Sequence, residues 1–200
     1  MVELSMNLSP DRLEAKSELE RILLNKSFQL GEFILSSGKK SDYYIDCRTA
    51  TLDPNGLYLI ANLFLDYLES QNLELEAVGG LTLGADPIIG GMVALSQTRK
   101  KPLQGFIVRK EVKSHGTTKL IEGNLEPGWR IAIVEDVITT GGSALKAIEA
   151  GKQAGAMVKI VLAVVDREEG GKEEIAKLGI PIFSLFTASE LKHSAQKQIK

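Results

Sequence analysis

The segment 130–155 constrains the fold most, because three local patterns follow one another in it. Residues 131–134 form an uninterrupted apolar run, which predicts a strand buried on both faces. Two carboxylates come next, Glu135 and Asp136, and then a turn of small residues. From 144 to about 155 the apolar spacing is helical. A buried strand that passes through a turn into a helix predicts a parallel sheet of the α/β class.

The same pattern recurs along the chain. Largely apolar segments at 75–78, 105–108, 157–165 and 182–186 predict further strands, and helical stripes at 54–68 and 86–98 precede the first two of them. The chain of 200 residues suits one domain. We therefore expect a parallel sheet flanked by helices. A predicted hairpin, which pairs 33–35 with 43–46, stands apart from this alternation, and residues of about 1–50 are expected to contribute a small N-terminal hood.

Composition excludes some classes of function. The chain is 44% hydrophobic and 25% charged, with a formal net charge of −2, so it carries no signal for general nucleic-acid binding. Its single cysteine, Cys47, cannot form an intrachain disulfide and predicts a reducing compartment. No apolar run approaches the roughly 20 residues that span a bilayer, and the N-terminus has no signal core. These features predict a cytoplasmic protein.

The turn at 139–143, Thr-Thr-Gly-Gly-Ser, has the chemistry of an anion site. Glycines let the backbone approach an anion closely, and the first turn of a helix offers free N–H groups and the positive end of its dipole. The turn contains neither a P-loop nor a dinucleotide-binding fingerprint. Because neighbouring carboxylates suit sugar hydroxyls or a metal ion, a ribose phosphate remains the specific option. A plain structural turn is the alternative.

A cationic stretch follows the predicted strand 105–108. It places Arg109, Lys110, Lys113 and His115 within seven residues. A charge run of this kind is usually a solvated surface. Here it begins at the carboxyl end of a core strand, where open α/β sheets bind their ligands, so an anion-binding loop is the second interpretation.

Four stretches carry a resemblance to a known family. The segment 134–143 resembles the phosphoribosyl pyrophosphate (PRPP) motif of type I phosphoribosyltransferases. The segments 33–44 and 109–116 resemble the hairpin signature and the catalytic loop of the orotate phosphoribosyltransferases. Asp166-Arg167, directly after the predicted strand 157–165, matches the same family. The resemblance implies the type I phosphoribosyltransferase fold and the transfer of ribose 5-phosphate from PRPP to orotate.

The resemblance also implies the roles of individual residues. Lys113, His115 and Asp136 are the expected catalytic residues. The expected PRPP-binding residues are Arg109, Lys110, Lys113, His115, Glu135, Asp136, Val137, Ile138, Thr139, Thr140, Gly141, Gly142 and Ser143. The expected orotate-binding residues are Tyr44, Ile45, Thr139 and Arg167, the last of which suits a carboxylate because its planar fork donates two parallel hydrogen bonds.

The resemblance further implies a cofactor and an assembly. Mg²⁺ is expected to be held mainly through PRPP and pyrophosphate, without dedicated protein ligands. The loop 109–117 is expected to close over the neighbouring subunit's site in a homodimer. This chain has Ser36 and Asp86 where many relatives carry lysine. The alternatives are a non-catalytic regulator that senses PRPP, which the full cationic loop disfavours, and a transferase for another base, which the hairpin and Arg167 disfavour.

Overall fold

Strands and helices alternate along the chain, as the apolar spacing predicts. The computed structural model describes residues 10–34, 38, 40–111 and 120–198. In chain order its elements are α1 (Pro10–Lys26), β1 (Phe28–Ile34), β2 (Lys40–Ile45), α2 (Arg48–Thr51), α3 (Pro54–Ser70), β3 (Ala77–Leu81), α4 (Asp86–Thr98), β4 (Gln104–Val108), β5 (Ile121–Gly123), β6 (Arg130–Ile138), α5 (Gly142–Gln153), β7 (Met157–Asp166), α6 (Gly171–Ala176), β8 (Ile182–Thr187) and α7 (Ala188–Gln198).

A six-stranded sheet organises the described part of the chain. Its strand order is β5-β4-β3-β6-β7-β8, and all neighbours are parallel except β5, which runs antiparallel to β4. Along β6, Ala132 and Val134 pack into the core that α3 and α4 cover, whereas Ile131 and Ile133 pack into the core that α5 covers. Because both faces are buried, the strand reads as a continuous apolar run. The predicted α/β sheet flanked by helices is confirmed.

The start of α3 shows how local sequence sets a boundary. Asp53 is the N-cap and Pro54 follows in the first turn. The Asp53 carboxylate accepts hydrogen bonds from the backbone N–H groups of Asn55 (3.1 Å) and Gly56 (2.9 Å). Two amides that the helix cannot pair internally are thereby satisfied, so the helix begins where the Asp-Pro pair predicts it.

The end of β6 differs from the prediction. The sequence predicts that the strand ends at Val134, but β6 continues through both acids to Ile138. Its partner β7 is ten residues long and pairs with it as far as Ile138 and Asp166. Ladder hydrogen bonds therefore carry the strand past the point where its apolar pattern stops. Glu135 and Asp136 lie inside the sheet, not in the following loop.

The hood is the antiparallel pair of β1 and β2. β1 starts at Phe28, well before the predicted position 33, because Phe28 pairs with Ile45 at the base of the hairpin. The rings of Phe28 and Tyr43 stack with their centroids 5.4 Å apart. Lys192 of α7 forms an ion pair with Asp42 of β2. The hairpin is therefore held against the body of the domain at its base and along one side.

Candidate active site

The turn between β6 and α5 is shaped for an anion. Gly141 is the N-cap of α5 with a φ of +81°, a left-handed conformation that favours glycine, and no side chain caps the helix. The turn is supported by Gly171, whose N–H donates to the Thr139 carbonyl at 3.0 Å. A Cβ at Gly171 would lie 2.7 Å from that oxygen and from the Gly141 nitrogen. The first-turn amides of α5 are thus left open for an anion.

Glu135 is a buried acid, and one of its carboxyl oxygens lacks a hydrogen-bond partner. Its residue is 4% exposed, and its Oε1 has no hydrogen-bond partner. Burial, with a further contribution from the charge of Asp136, raises the pKa of Glu135 to about 8. At neutral pH the protonated form of Glu135 is therefore favoured. A buried carboxyl oxygen without a partner is costly, so it favours a ligand that brings a hydrogen bond.

Asp136 faces the turn that follows β3. Burial raises its pKa, although a hydrogen bond from the Val137 N–H to Oδ1 (2.8 Å) acts in the opposite direction. Its carboxylate packs so closely against Gly84 that a Cβ there would lie 2.4 Å from Oδ1. Asp136 therefore joins the end of β6 to the turn after β3.

One cleft gathers side chains from the hood and from the sheet edge. It has a volume of about 330 Å³. The predicted site residues that line it are Tyr44, Ile45, Lys110, Glu135, Asp136, Val137, Thr139, Ser143 and Arg167. An adjoining cavity of about 460 Å³ adds Ile138, Thr140, Gly141 and Gly142, and Lys110 lines both spaces. Residues that are distant in sequence thus meet where the parallel strands end, as expected for an open α/β sheet.

Arg167 is held in place on two sides. Its Nε lies 2.8 Å from Oε1 of Glu169, and its guanidinium lies 5.0 Å from the centre of the Tyr43 ring. The Arg167 N–H donates to the Ile138 carbonyl at 2.8 Å, which ties its backbone to the end of β6. The side chain is only 10% exposed. A positioned, desolvated guanidinium is suited to recognise a planar carboxylate.

Arg109 does not join the cleft with the other predicted residues. Its Nη1 lies 3.5 Å from Oε1 of Glu122 on β5, and its N–H donates to the Leu120 carbonyl. It is absent from the linings of both site cavities. Lys113 and His115 lie outside the described residues, as does Ser36.

Arg48 and Asp46 also line the cleft, although the sequence analysis did not assign them a role. The signal was the charged Asp-Cys-Arg sequence at the end of the hairpin strand that carries Tyr44, an expected orotate-binding residue. Thr82 and Gly84, in the turn after β3, line the same cleft. Asp86 follows this turn, and its Oδ2 accepts a hydrogen bond from Thr82 Oγ1 at 2.8 Å.

The described ranges lack two broader features. No group of three or more His, Cys, Asp or Glu side chains comes together there in a way that could hold a metal ion. No helix in the same ranges has the length and apolar character needed to span a membrane.

Comparisons with known proteins agree with this geometry. No protein-family profile matches the chain. The orotate phosphoribosyltransferase of Aquifex aeolicus is 48% identical over 179 residues, which are 88% of this chain and 97% of that protein. A crystal structure of the Mycobacterium tuberculosis orotate phosphoribosyltransferase superposes with a TM-score of 0.78 at 38% identity, covering 88% of this chain and 98% of that one. The M. tuberculosis enzyme in complex with PRPP gives a TM-score of 0.74 at 34% identity, with coverages of 89% and 99%.

Proposed function

The chain belongs to the orotate phosphoribosyltransferase family and therefore transfers ribose 5-phosphate from PRPP to orotate, and we propose that the cleft between the hood and the sheet edge is where it does so. The products are orotidine 5′-monophosphate and pyrophosphate, and the reaction is a step of de novo pyrimidine synthesis. One observation carries the assignment of the site: the acid pair and Arg167 line one cavity, the glycine turn lines a second, and the two cavities share Lys110, Glu135 and Thr139.

The acid pair is proposed to hold the ribose. Cleavage of the bond between C1 and pyrophosphate gives the sugar oxocarbenium character and leaves an anionic leaving group. Glu135 has a buried oxygen without a partner, which a ribose hydroxyl would satisfy. Asp136 stands beside it, and its negative charge would favour the developing positive ring. Asp136 is our candidate for the acid that acts directly on the reacting sugar.

The glycine turn is proposed to hold the 5′-phosphate. The amides at the start of α5 point to that end of the cleft, and Thr139, Thr140 and Ser143 add hydroxyl donors. Lys110 lines the space between this turn and the acid pair. The backbone of Val137 and Ile138 completes the wall. Donors from one rigid strand–turn–helix unit would thus fix the phosphate and the ribose together.

The leaving group requires positive charge. We propose that Lys113 and His115, together with Lys110 and Arg109, supply it when the loop 109–117 closes. Arg109 would then have to leave Glu122, whose Oε1 lies 3.5 Å from its Nη1. Closure would also exclude water, which strengthens these interactions and limits hydrolysis of PRPP. No covalent nucleophile is needed for this reaction.

The described residues offer only part of a set of oxygen ligands for Mg²⁺. Glu135 and Asp136 are the carboxylates placed where the ribose hydroxyls would lie, and the described residues add no third acid to form a protein cage. One or two carboxylates combined with substrate oxygens is a common arrangement for Mg²⁺. When bound with PRPP, the ion would neutralise charge on the pyrophosphate.

Orotate is proposed to lie under the hood. Tyr44 and Ile45 provide an apolar wall, and Tyr44 is supported by Phe33, with ring centroids 5.6 Å apart. Arg167 would bind the orotate carboxylate, and Thr139 lies between the two substrates. Uracil and adenine lack that carboxylate and would not form this hydrogen-bonded contact with the guanidinium. Loss of a charged hydrogen bond costs about 1.5–3 kcal/mol, or about 10- to 100-fold in affinity.

We also propose a homodimer in which each subunit lends its loop 109–117 to the other's cleft, supported by the match of that loop to the family's catalytic loop. A cytoplasmic location is proposed on the strength of Cys47, which is free and buried.

A spectrophotometric assay of orotate loss with PRPP and Mg²⁺ tests the function, with uracil and adenine supplied separately. We expect rapid consumption of orotate and at least 10-fold lower kcat/KM for the other bases. Binding of PRPP without turnover would instead indicate a sensor. Comparable use of uracil or adenine would remove Arg167 from substrate selection.

A further inference from the structure

Arg48 occupies a wall of the cleft and is anchored there by Asp46. Its Nε and Nη2 donate to the two carboxylate oxygens of Asp46 at 2.8 and 2.7 Å. The Arg48 N–H also donates to Asp46 Oδ1, at 3.1 Å. Asp46 is fixed in turn through its own N–H, which donates to the Ser27 carbonyl at 2.9 Å. The pair presents an oriented guanidinium whose Nη1 is not used by Asp46.

The Arg48 side chain lines the same cleft as the turn after β3. Burial is the main influence on Asp136 and raises its pKa, while the charge of Arg48 lowers it. Asp136 in turn packs on Gly84. Arg48, Asp136, Thr82, Leu83 and Gly84 all line the same space. A cation therefore stands beside a turn whose backbone N–H groups can bind phosphate oxygens.

Few other cationic side chains line this cleft within the described residues. The cations that line the cleft within the described residues are Arg48, Lys110 and Arg167. Arg167 is engaged by Glu169 and covered by Tyr43. Lys110 also lines the cavity of the glycine turn. The turn after β3 contributes no cation of its own and is followed by Asp86. A pyrophosphate with several negative charges would meet Arg48 there.

We propose that Arg48 binds the pyrophosphate group of PRPP, with Asp46 as the residue that positions it. This inference rests on the proposed function, because it assumes that PRPP occupies this cleft. A planar guanidinium can donate two hydrogen bonds to phosphate oxygens, and a fixed positive charge would stabilise the departing group. Arg48 would supply a fixed positive charge near the turn after β3, which carries no cation of its own.

The simpler interpretation is that Arg48 and Asp46 form an ordinary surface ion pair. The Arg48 side chain is 53% exposed, and exposed pairs contribute little to stability. The two interpretations therefore predict different results. Removing a surface ion pair should leave substrate affinity unchanged and stability nearly unchanged. Removing a group that binds pyrophosphate should weaken the binding of PRPP but not that of orotate.

The test is a titration of pyrophosphate with Mg²⁺ into the full-length protein, alongside steady-state kinetics. For Arg48→Ala we expect about 10- to 100-fold weaker pyrophosphate binding. A comparable rise in the KM for PRPP and an orotate KM within about twofold of the wild type should accompany it. Arg48→Lys should restore part of the affinity, and Asp46→Asn should give a smaller loss. Arg130→Ala is the matched control, because Arg130 forms a similar ion pair with Glu76 at the opposite end of β6.

The outcomes separate this inference from the proposed function. If the wild type consumes orotate and Arg48→Ala binds pyrophosphate as tightly as the wild type does, the inference is wrong and the function stands. Equal losses for orotate and pyrophosphate would also overturn it, since they indicate a general distortion of the cleft. A wild type that binds pyrophosphate but does not consume orotate would reject the proposed function alone. Should Arg48→Ala fold poorly, Arg48→Gln provides the same comparison.

Discussion

Replacing Glu135 by glutamine should stabilise the enzyme without bound substrate, by an amount that grows with pH. Burial raises the pKa of Glu135 from its ordinary 4.5 to about 8, so the folded state holds a proton that the unfolded state releases. Between these pH values the unfolded chain binds fewer protons than the native one, and stability falls as pH rises. Glutamine keeps the shape and cannot ionise, so it removes this loss.

The magnitude follows from the two pKa values. Each tenfold change in an ionisation constant corresponds to about 1.4 kcal/mol, so the full penalty approaches about 5 kcal/mol above pH 8. At pH 5 less than about 1 kcal/mol of it is present. The difference in unfolding free energy between Glu135→Gln and wild type should therefore grow by about 3 to 4 kcal/mol from pH 5 to pH 8 in favour of the variant.

Urea unfolding at both pH values measures this difference, and calorimetry measures the affinity for PRPP. Glu149→Gln, an exposed change on α5, is the matched control and should stay within about 0.5 kcal/mol of wild type at both pH values. A gap for Glu135→Gln that is equal at pH 5 and pH 8 would refute the reasoning. Glu135→Ala removes the unpartnered oxygen and should weaken PRPP binding. An alanine variant that binds PRPP as tightly as the wild type would show that this oxygen is not kept for the ribose.

Three further predictions concern the substrates, the turn and the assembly. Arg167→Ala should raise the KM for orotate about 10- to 100-fold and leave that for PRPP within about twofold; kinetics with each substrate varied in turn would contradict this if both KM values rose equally. Gly171→Ala should cost about 1–3 kcal/mol of stability and raise the KM for PRPP, because its Cβ would press on the glycine turn. Gly90→Ala, in open space on α4, should cause neither effect in the same thermal and kinetic assays. Mixing Lys113→Ala with Asp136→Ala subunits should recover part of the activity if sites are shared, and verified heterodimers without activity would count against a shared loop.

The central strands of the sheet were predictable from the sequence because burial on both faces leaves an apolar pattern within a short segment. Ile131 and Ile133 alternate with Ala132 and Val134 between two buried faces, and that leaves a continuous apolar run. The end of β6 was not predictable in the same way. Its last four residues are held by pairing with β7, and a carboxylate such as Glu135 gives no local sign that a neighbouring strand will carry it into the interior.

The site was predictable where a single segment carries the chemistry. The acid pair and the glycine turn stand in one strand–turn–helix unit, so their meeting follows from chain connectivity. Arg48 required the fold, since only the pairing of β1 with β2 and the packing of the hood bring it to Asp136. Arg167 is likewise held between Tyr43 of the hairpin and Glu169, which follows β7. No spacing in the sequence predicts these two contacts.

The most direct test is a structure of the enzyme with PRPP and orotate, or with orotidine 5′-monophosphate and pyrophosphate, in the cleft. We predict the 5′-phosphate on the turn 139–143, the ribose hydroxyls within hydrogen-bond distance of Glu135 and Asp136, and the orotate carboxylate on Arg167. An orotate ring bound away from Arg167, or a ribose that does not contact the acid pair, would contradict the account.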